Sequence, residues 1–587
     1  MVSYNIMSLS RKKLLLIVAA AGVLVKTAEF VVWSASAFRF YNFVPGLDME
    51  TLLRFSEWGT EGNGFFLTPH RALIAACWAL NGHAHFVPGI VTAQALVGIL
   101  GAVLCADIAL KFFRRDKVAA FACGLFQLLY GPFFIYEFSV LQEVVALNLI
   151  LLAFYAAVSA RSRRGFVGAG LALGLCVIGR PTAFIFVPLM LGFMAYRELK
   201  VRRRRGAKKN LLAALGGLCA VLCLVSVVNR ICGGNWNCFF NVLPYSLEFN
   251  AAASPPAAAA PVAAASPYWR MFANAVSRVP KLLLPYEIPE NLNYHYLLDA
   301  VPLLRYLPGP FVLLPLALAG MLLLIPKFRR AAALLWLPLL SLALPLCVRD
   351  PIGRYRLTLV PYLILCGGCW FHFFVVSPRA ARGRRLTLLL VAAAFAALMW
   401  AVHRPYLRGS DYLTHALALE RQNGGRPSPE SWRTLYDGWE LGGYGNLKLG
   451  LRLYLQLEEQ GQRDAAQAVL ALGVARAPEK AVYFYYTALS HAERGDFAAA
   501  EKMLRCCTPE KLGFLEGKYH YLYGEMLRRR GEAAAAAREY EKALQKLDPG
   551  SELAAAARRG LSAADASAAA PRGGGTVPAP PAAPARE

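Results

Sequence analysis

The stretch 128-LLYGPFFIYEFSVLQEVVALNLILLAFY-155 shows most directly what kind of chain this is. It is long and apolar enough to cross a bilayer, yet it contains two acidic side chains, Glu137 and Glu143. A carboxylate inside a membrane is costly, so it usually has a functional role or a partner. Glu143 lies near the predicted outer end of a spanning helix, whereas Glu137 lies nearer the loop. The stretch therefore predicts a helical membrane protein in which Glu143 is a candidate functional residue.

The composition of the whole chain also indicates a membrane protein. Of its 587 residues, 57% are hydrophobic and only 17% are charged, whereas about a quarter of the residues in a soluble domain are charged. Eleven apolar runs hold most of the hydrophobic residues, and several reach the roughly 20 residues that a spanning helix needs. The runs lie near 13–33, 86–110, 118–136, 138–158, 166–180, 181–196, 211–231, 308–325, 331–348, 357–376 and 386–402.

Clusters of basic residues lie in alternate gaps between these runs. Six gaps contain 25 of the 63 Lys and Arg residues, and positive charge in every second loop is typical of cytoplasmic loops. We therefore expect the N-terminus in the cytoplasm and, after an odd number of spans, the C-terminus outside it. The net charge of +26 is then a sign of membrane topology, and no nucleic-acid-binding motif accompanies it.

The composition changes after residue 402, where charges of both signs appear and the long apolar runs end. Three segments match one another around Gly461, Gly495 and Gly531, at spacings of 34 and 36 residues, the period of tetratricopeptide (TPR) helix–turn–helix repeats. We expect an all-α protein divided into a polytopic membrane domain over 1–405 with a low-complexity insert at 251–267, a linker over 406–435, a TPR-like domain over 436–549 and a disordered Ala- and Pro-rich tail over 550–587.

Asp48 and Glu50 form an acidic pair in the first predicted outer loop. A carboxylate just above the membrane could take a proton from an acceptor hydroxyl or amine during group transfer. A solvated, helix-starting acidic segment is the alternative. The two carboxylates could also hold a divalent cation, although a D-x-E sequence alone is weak evidence for one.

The segment 348-VRDPIGRYR-356 places three arginines, Arg349, Arg354 and Arg356, around Tyr355 on the predicted outer face. Outer loops normally avoid Arg, and guanidinium groups match phosphate oxygens bidentately, while a Tyr hydroxyl adds a donor. The segment therefore predicts a phosphate site, with anchoring to lipid head groups as the alternative. No Walker A or dinucleotide-binding glycine pattern supports a nucleotide-driven pump.

Five stretches together resemble one family. They are "GLDMETLL" after the first run, the stretch 128–155, "GRPTAFIFVPLML" at 179–191, "LPYEIPENLNYHYLLDAVPLLRYLP" at 284–308 and "GRYRLTLVPYLIL" at 353–365. In this order and spacing they are similar to bacterial glycosyltransferase family 39 membrane proteins with a C-terminal TPR domain. That family has the GT-C fold, shared with protein O-mannosyltransferases and the lipid A aminoarabinose transferase.

The resemblance implies an inverting transferase that takes a sugar from a polyprenyl-phosphate donor at the outer face of the cytoplasmic membrane. It implies that Asp48 is the catalytic base and Glu143 a second catalytic acidic residue, and that Arg354, Tyr355 and Arg356 lie beside the donor. The chain departs from the family at Thr358, where Pro is usual, and in "TPHRAL" at 68–73. We expect further substrate contacts from Glu50, Arg54, His70, Glu287 and Asn291.

Two other functions stay open from the sequence. One is a non-catalytic membrane anchor whose TPR array assembles envelope proteins, and the other is a transporter of a lipid-linked glycan. Under the enzyme hypothesis the partners are a polyprenyl-phosphate sugar, the bilayer, and an acceptor that is a protein, a lipid or a glycan. A protein bound by the TPR-like domain outside the cytoplasm is a further expected partner.

Overall fold

The structure, a computed structural model, describes residues 9–57, 68–113, 115–201, 206–231, 267–284, 286–327, 329–349, 352–376, 382–402 and 407–569. The described residues form helices and contain no strand, as expected for an all-α protein. The low-complexity insert, apart from its last residue, and the tail after 569 lie outside the described residues. The chain divides into two compact units, Met1–Leu407 and Arg408–Glu587.

The first unit contains sixteen α-helices among the described residues, and most of them lie on the predicted apolar runs. In chain order, α1 to α16 are Arg11–Ala35, Asp48–Glu57, Pro69–Phe112, Lys117–Leu129, Gly131–Glu137, Glu143–Ser159, Arg163–Gly179, Phe186–Tyr196, Ala207–Ile231, Pro267–Leu282, Tyr294–Ala300, Pro310–Lys327, Arg329–Arg349, Gly353–Arg356, Val360–Val376 and Arg382–Val402.

Several of these helices are long and apolar enough to cross a membrane, so the first unit is a multi-pass membrane domain. Within the described ranges, five helical stretches meet that length and composition, and α4 with α5, bent by 50°, makes a sixth if the pair is one span. The five are Arg11–Ala35, His85–Phe112, Thr182–Val201, Ala207–Ile231 and Pro302–Leu324. Three further runs contain shorter apolar helices, Glu143–Ser159, Ala332–Cys347 and Leu389–Ala401, so the predicted count of about eleven spans stays a prediction.

Small residues allow α7 and α9 to pack closely. A side chain at Gly170 would meet the backbone carbonyl of Ala214, and one at Gly217 would meet that of Val167. Close backbone approach through small residues stabilises helix pairs in membranes, where lipid and Leu are equally apolar. α7 also packs on α6, and α6 on α3. The first residue of α6 is Glu143, so this packing fixes the position of that carboxylate.

The second unit continues with nine helices that pack in succession. α17 to α25 are Gly409–Gln422, Pro429–Leu441, Leu447–Glu459, Arg463–Arg476, Ala481–Glu493, Phe497–Arg505, Glu516–Arg529, Ala533–Lys546 and Glu552–Ala569. The predicted linker over 406–435 therefore contains α17 and the start of α18, and the predicted disordered tail begins with α25. Ala416 and Leu435 are fully buried in one core with Trp439, which explains why the supposed linker is ordered.

Three turns in the second unit share one geometry. Gly461, Gly495 and Gly531 have φ values of 72°, 83° and 81°, the left-handed region that glycine adopts without steric cost. After Gly461, the N–H of Gln462 donates to the carbonyl of Leu457, which closes the helix end in a Schellman motif. The residues after Gly495 and Gly531 make the equivalent bonds. Each turn therefore ends one helix and starts its partner in the same way.

Candidate active site

Arg354 lies at the centre of a group of charged side chains from distant parts of the first unit. It belongs to α14, a single turn between α13 and α15. Its Nη1 donates a 2.5 Å hydrogen bond to Oδ2 of Asp48, the first residue of α2. Its Nη2 donates to Oε1 of Glu290 at 2.8 Å, and its Nε contacts the other oxygen of Glu290. One guanidinium group therefore joins α2 to the segment before α11.

Glu143 lies beneath Arg354 at the start of α6. Its Oε1 is 3.8 Å from Nε of Arg354 and 3.5 Å from Nη1 of Arg180. A helix N-terminus favours a negative charge, and the two guanidinium groups offset it further. Glu143 is 1% exposed, whereas the side chain of Asp48 is 51% exposed. Asp48 is therefore open to a substrate, and Glu143 is enclosed below it.

The ring of Tyr355 lies close to both arginines. The guanidinium carbons of Arg180 and Arg354 are 4.7 Å and 4.9 Å from the ring centroid, within the range of cation–π attraction. Nη2 of Arg354 also donates to the Tyr355 hydroxyl at 3.1 Å. Because the ring and Glu143 both stabilise the two cations, the positive charges are held in place before any substrate binds.

Asn42 connects the segment that precedes Asp48 to the one that precedes Glu143. Its Oδ1 accepts a 2.7 Å hydrogen bond from the N–H of Val140, and its Nδ2 donates to the carbonyl of Phe138 at 3.3 Å. Asn42 is 1% exposed, so its amide satisfies backbone groups that would otherwise be buried without partners. This contact sets the spacing between the two candidate acids.

Arg356 binds the segment around Leu284 and Tyr286 rather than joining the group around Arg354. It is 6% exposed, and it donates to the carbonyls of Tyr286 at 2.9 Å and Leu284 at 2.7 Å. The N–H of Gly353 donates to the carbonyl of Ile288 at 2.8 Å. The structure therefore gives Arg356 a different position from the predicted donor-phosphate site, because backbone carbonyls already occupy its donors.

We expect Arg356→Gln to lower the thermal stability of the protein. The change leaves the half-buried carbonyls of Tyr286 and Leu284 without charged donors, and a fully buried group left unpaired costs about 1–3 kcal/mol. The measurement is thermal unfolding of the purified protein in detergent. Arg305→Gln is the matched control, because the side chain of Arg305 is 57% exposed. Weaker donor binding at an unchanged melting temperature would instead support the predicted phosphate contact.

The site environment shifts the pKa values of Asp48 and Glu287 in opposite directions. Burial acts to raise the pKa of Asp48, but the side chains of Arg354 and Asn291 outweigh it and hold the pKa below its ordinary value. Burial raises the pKa of Glu287, although Arg356 and Tyr130 oppose this. Asp48 is therefore ionised at neutral pH, as a base must be, while Glu287 lies enclosed behind α14, against Gly353.

His70 has a buried position in a polar network. It is 2% exposed, and its Nε2 lies 3.0 Å from Oε1 of Gln94. Nε2 of Gln94 donates to the carbonyls of Glu137 and Ser139. Oε1 of Gln94 therefore faces His70 and accepts a hydrogen bond from Nε2 of the His70 ring. Burial lowers the pKa of His70 to about 4, which keeps the ring neutral. This position differs from the predicted substrate contact.

Glu137, the weaker acid of the stretch 128–155, has a partner on α1. Its Oε2 lies 2.6 Å from Nζ of Lys26, which is also 2.8 Å from Oε2 of Glu29. All three side chains are less than 5% exposed. Glu137 therefore joins α5 to α1 through a buried ion pair, a partner that the sequence did not indicate.

The remaining predicted residues are dispersed around the site. Glu50 is half-buried on α2, and Asn291 lies beside Asp48. The side chains of Arg349 and Arg54 lie outside the described residues. Within the described ranges, no three His, Cys, Asp or Glu side chains are grouped so that they could hold a metal ion.

Glu290 and Arg180 belong to the site although neither was assigned a role from the sequence. Glu290 lies between two predicted residues in the quoted stretch 284–308, so its segment was recognised although the acid that contacts Arg354 was not. Arg180 follows α7 and is 4% exposed. Its contacts with Glu143 and Tyr355 distinguish it from an arginine that reaches toward the membrane surface.

Comparison with known proteins finds remote structural similarity. Two crystal structures of ArnT from Cupriavidus metallidurans are similar, one bound to undecaprenyl phosphate and one in the apo state. Their sequence identities to this chain are 14% and 16%, and their TM-scores are 0.37 and 0.36. Each covers 91% of this chain, which spans 81% and 82% of theirs. No protein-family model matches the chain, and no curated protein does.

Proposed function

We propose that the first unit is a GT-C-type glycosyltransferase that transfers a sugar from a polyprenyl-phosphate donor to an envelope acceptor. The acceptor is a protein, a lipid or a glycan, and the reaction takes place with inversion at the outer face of the cytoplasmic membrane. The observation that carries this proposal is the contact between Arg354 and Asp48, which joins a fixed cation to an exposed carboxylate. A lipid donor requires both, at the boundary of an apolar helical unit.

The chemistry assigns the accessible groups distinct roles. Asp48 takes the proton from the acceptor hydroxyl or amine while the acceptor atom forms a bond to the anomeric carbon. The bond between that carbon and the phosphate oxygen breaks, and its electron pair leaves with the polyprenyl phosphate. Arg354 stabilises the negative charge that develops on the phosphate. Such electrostatic stabilisation by a preorganised group is usually the largest single contribution to catalysis.

Glu143 and Arg180 stabilise this arrangement from the buried side of Arg354. Both oxygens of Glu143 are enclosed, so its proposed role is to fix two guanidinium groups rather than to contact the substrate. The resemblance implies a catalytic role for Glu143, and its burial favours one exerted through Arg354. Because the two cations share one carboxylate and one ring, their positions depend on each other.

A transfer assay with the purified protein in lipid nanodiscs tests the function. Labelled polyprenyl-phosphate sugars and an envelope extract are the substrates, and mass spectrometry detects the new glycosidic bond with release of polyprenyl phosphate. Envelope glycans of cells with and without the protein identify the acceptor class. Movement of lipid-linked sugar across the bilayer without a new bond would instead establish a transporter.

A second candidate function is the assembly of envelope proteins through the second unit, which we propose to be TPR-like. A cavity of about 450 Å³ lies between α17 and α19. Leu413, Leu451 and the buried Gln456 are among its lining residues, a mixture that suits a polypeptide partner. If assembly is the function, deleting Arg408–Glu587 abolishes it, whereas Asp48→Asn leaves it intact.

The second unit is expected outside the cytoplasm. The basic loops of the first unit place the N-terminus inside, and an odd number of spans places the second unit on the other side. Alkaline phosphatase, which is active only outside the cytoplasm, should be active when it is fused after Gly550. A reporter that is active only in the cytoplasm should be silent at the same position, and activity there would contradict the predicted topology.

A further inference from the structure

The contacts of Arg354 are unequal on its different sides. Glu290 holds two of its nitrogens, Nε and Nη2, and Glu143 lies close to the same Nε. Asp48 holds Nη1 through one oxygen. The side chain of Asp48 is 51% exposed and that of Glu290 37% exposed. The Asp48 contact is therefore the easiest one to exchange for another anion.

A donor phosphate and Asp48 compete for the same atoms. The phosphate requires a guanidinium donor, and Nη1 of Arg354 is already bound to Asp48. Asp48 in turn cannot receive an acceptor proton at the oxygen that Arg354 occupies, and this contact also depresses its basicity. In the resting arrangement, this one contact therefore makes Asp48 a weaker base and keeps Nη1 of Arg354 from binding the phosphate.

We propose that the donor phosphate replaces Asp48 at Arg354, and that Glu290 is the positioning residue that holds Arg354 during the exchange. This proposal rests on the proposed function. Donor binding then releases Asp48, so the base becomes available only when a sugar is in place to be attacked. The order of binding is donor first and acceptor second.

Glu290 suits this role because its contacts with Arg354 do not involve Asp48. Its two contacts fix the plane of the guanidinium, and its segment is held separately by Gly353 and Ile288. When Asp48 leaves, Arg354 therefore keeps its position. Without Glu290, the guanidinium would keep its longer contacts with Glu143 and Tyr355 but would lose the pair of contacts that fixes its plane, and the phosphate would meet a less precisely placed cation.

Carboxylate labelling tests the exchange without sugar transfer. The purified protein in nanodiscs is treated with a water-soluble carbodiimide and an amine, with and without polyprenyl phosphate, and labelling is quantified by peptide mass spectrometry. We expect labelling of Asp48 to rise severalfold when polyprenyl phosphate binds. Asp299 is the internal control, because it is 73% exposed and paired with Arg305. Unchanged or reduced labelling of Asp48 would overturn the exchange.

Glu290→Gln separates positioning from a structural role. The variant keeps the size of the side chain but loses the charge, and we expect kcat to fall about tenfold, since misplacing a catalytic group by 1 Å can cost up to 100-fold. The labelling response of Asp48 should disappear at the same time, while the melting temperature stays unchanged. Glu290→Asp, which keeps the charge, should restore part of both. A full labelling response in Glu290→Gln would overturn the role of Glu290.

The binding order has its own readout. In the unaltered protein, trapped donor should be converted to product when acceptor is added, whereas trapped acceptor should not be. Transfer with random order would overturn the exchange but leave the proposed function intact. Failure of polyprenyl phosphate to bind, measured by its co-purification with the protein, would count against the function itself.

Discussion

Asp48→Asn should lower sugar transfer by about 10²- to 10⁴-fold, the usual contribution of a general base. Asn has the shape of Asp but cannot accept a proton, so the acceptor would have to attack while still protonated. Binding of the donor should persist, because Arg354 is freed rather than lost. The measurements are the transfer rate and the affinity for polyprenyl phosphate in the same preparation.

The control for this change is Asp299→Asn, which alters an exposed carboxylate paired with Arg305 and should leave transfer unchanged. The pH dependence provides a second check. Arg354 and Asn291 hold the pKa of Asp48 below its ordinary value, so the base stays ionised as the pH falls. The acidic limb of kcat/KM for the donor, which reports on the donor-free enzyme, should therefore lie below the ordinary range of Asp. Full transfer by Asp48→Asn would exclude Asp48 as the base.

Arg354→Gln should lower transfer by about 10²- to 10³-fold, the usual cost of removing one preorganised donor to a developing anion. The kcat/KM for the donor should fall more than the kcat/KM for the acceptor, because the donor phosphate loses its cation. The same change removes the hydrogen bond and charge that depress the pKa of Asp48, so the acidic limb should move to higher pH. Steady-state kinetics at several pH values measures both effects.

Two further variants distinguish charge from geometry at this position. Arg354→Lys keeps the charge but loses the planar fork that engages Asp48 and Glu290 together, so it should recover only part of the activity. Arg305→Gln removes an exposed guanidinium and should have no effect. If Arg354→Gln left donor dependence unchanged, Arg354 would be a membrane anchor rather than a phosphate ligand.

Much of the fold could be predicted because a helix that crosses a bilayer must be apolar over about 20 residues, and such runs are visible in the sequence. The segments around Glu143 and Gly170 are too apolar to lie anywhere but in a bilayer or a core. The helices within 406–435 were harder to predict, since α17 is short and amphipathic. A few buried residues such as Ala416 are enough to order a helix of that kind, and they are hard to distinguish from a polar linker.

The site was harder to predict because its members meet only in three dimensions. Asp48 and Arg354 could be proposed separately, one as an acid after a span and the other as an arginine on an outer loop, and the structure shows that they touch. Lys26 and Glu137 show the opposite case, because a buried ion pair over such a sequence distance leaves no local pattern. Arg356 and Arg354 are indistinguishable by composition, and only their hydrogen bonds separate a backbone clamp from a candidate phosphate ligand.

The three equivalent glycine turns of the second unit have a consequence for how this protein can vary. Each turn has the same backbone geometry, so each helix pair packs on the next pair in the same way as the previous pair packs on it. Gain or loss of a complete pair would preserve every interface, whereas gain or loss of a single helix would leave an apolar face uncovered. Lengths of this unit in natural variants should therefore differ in steps of about 34 residues.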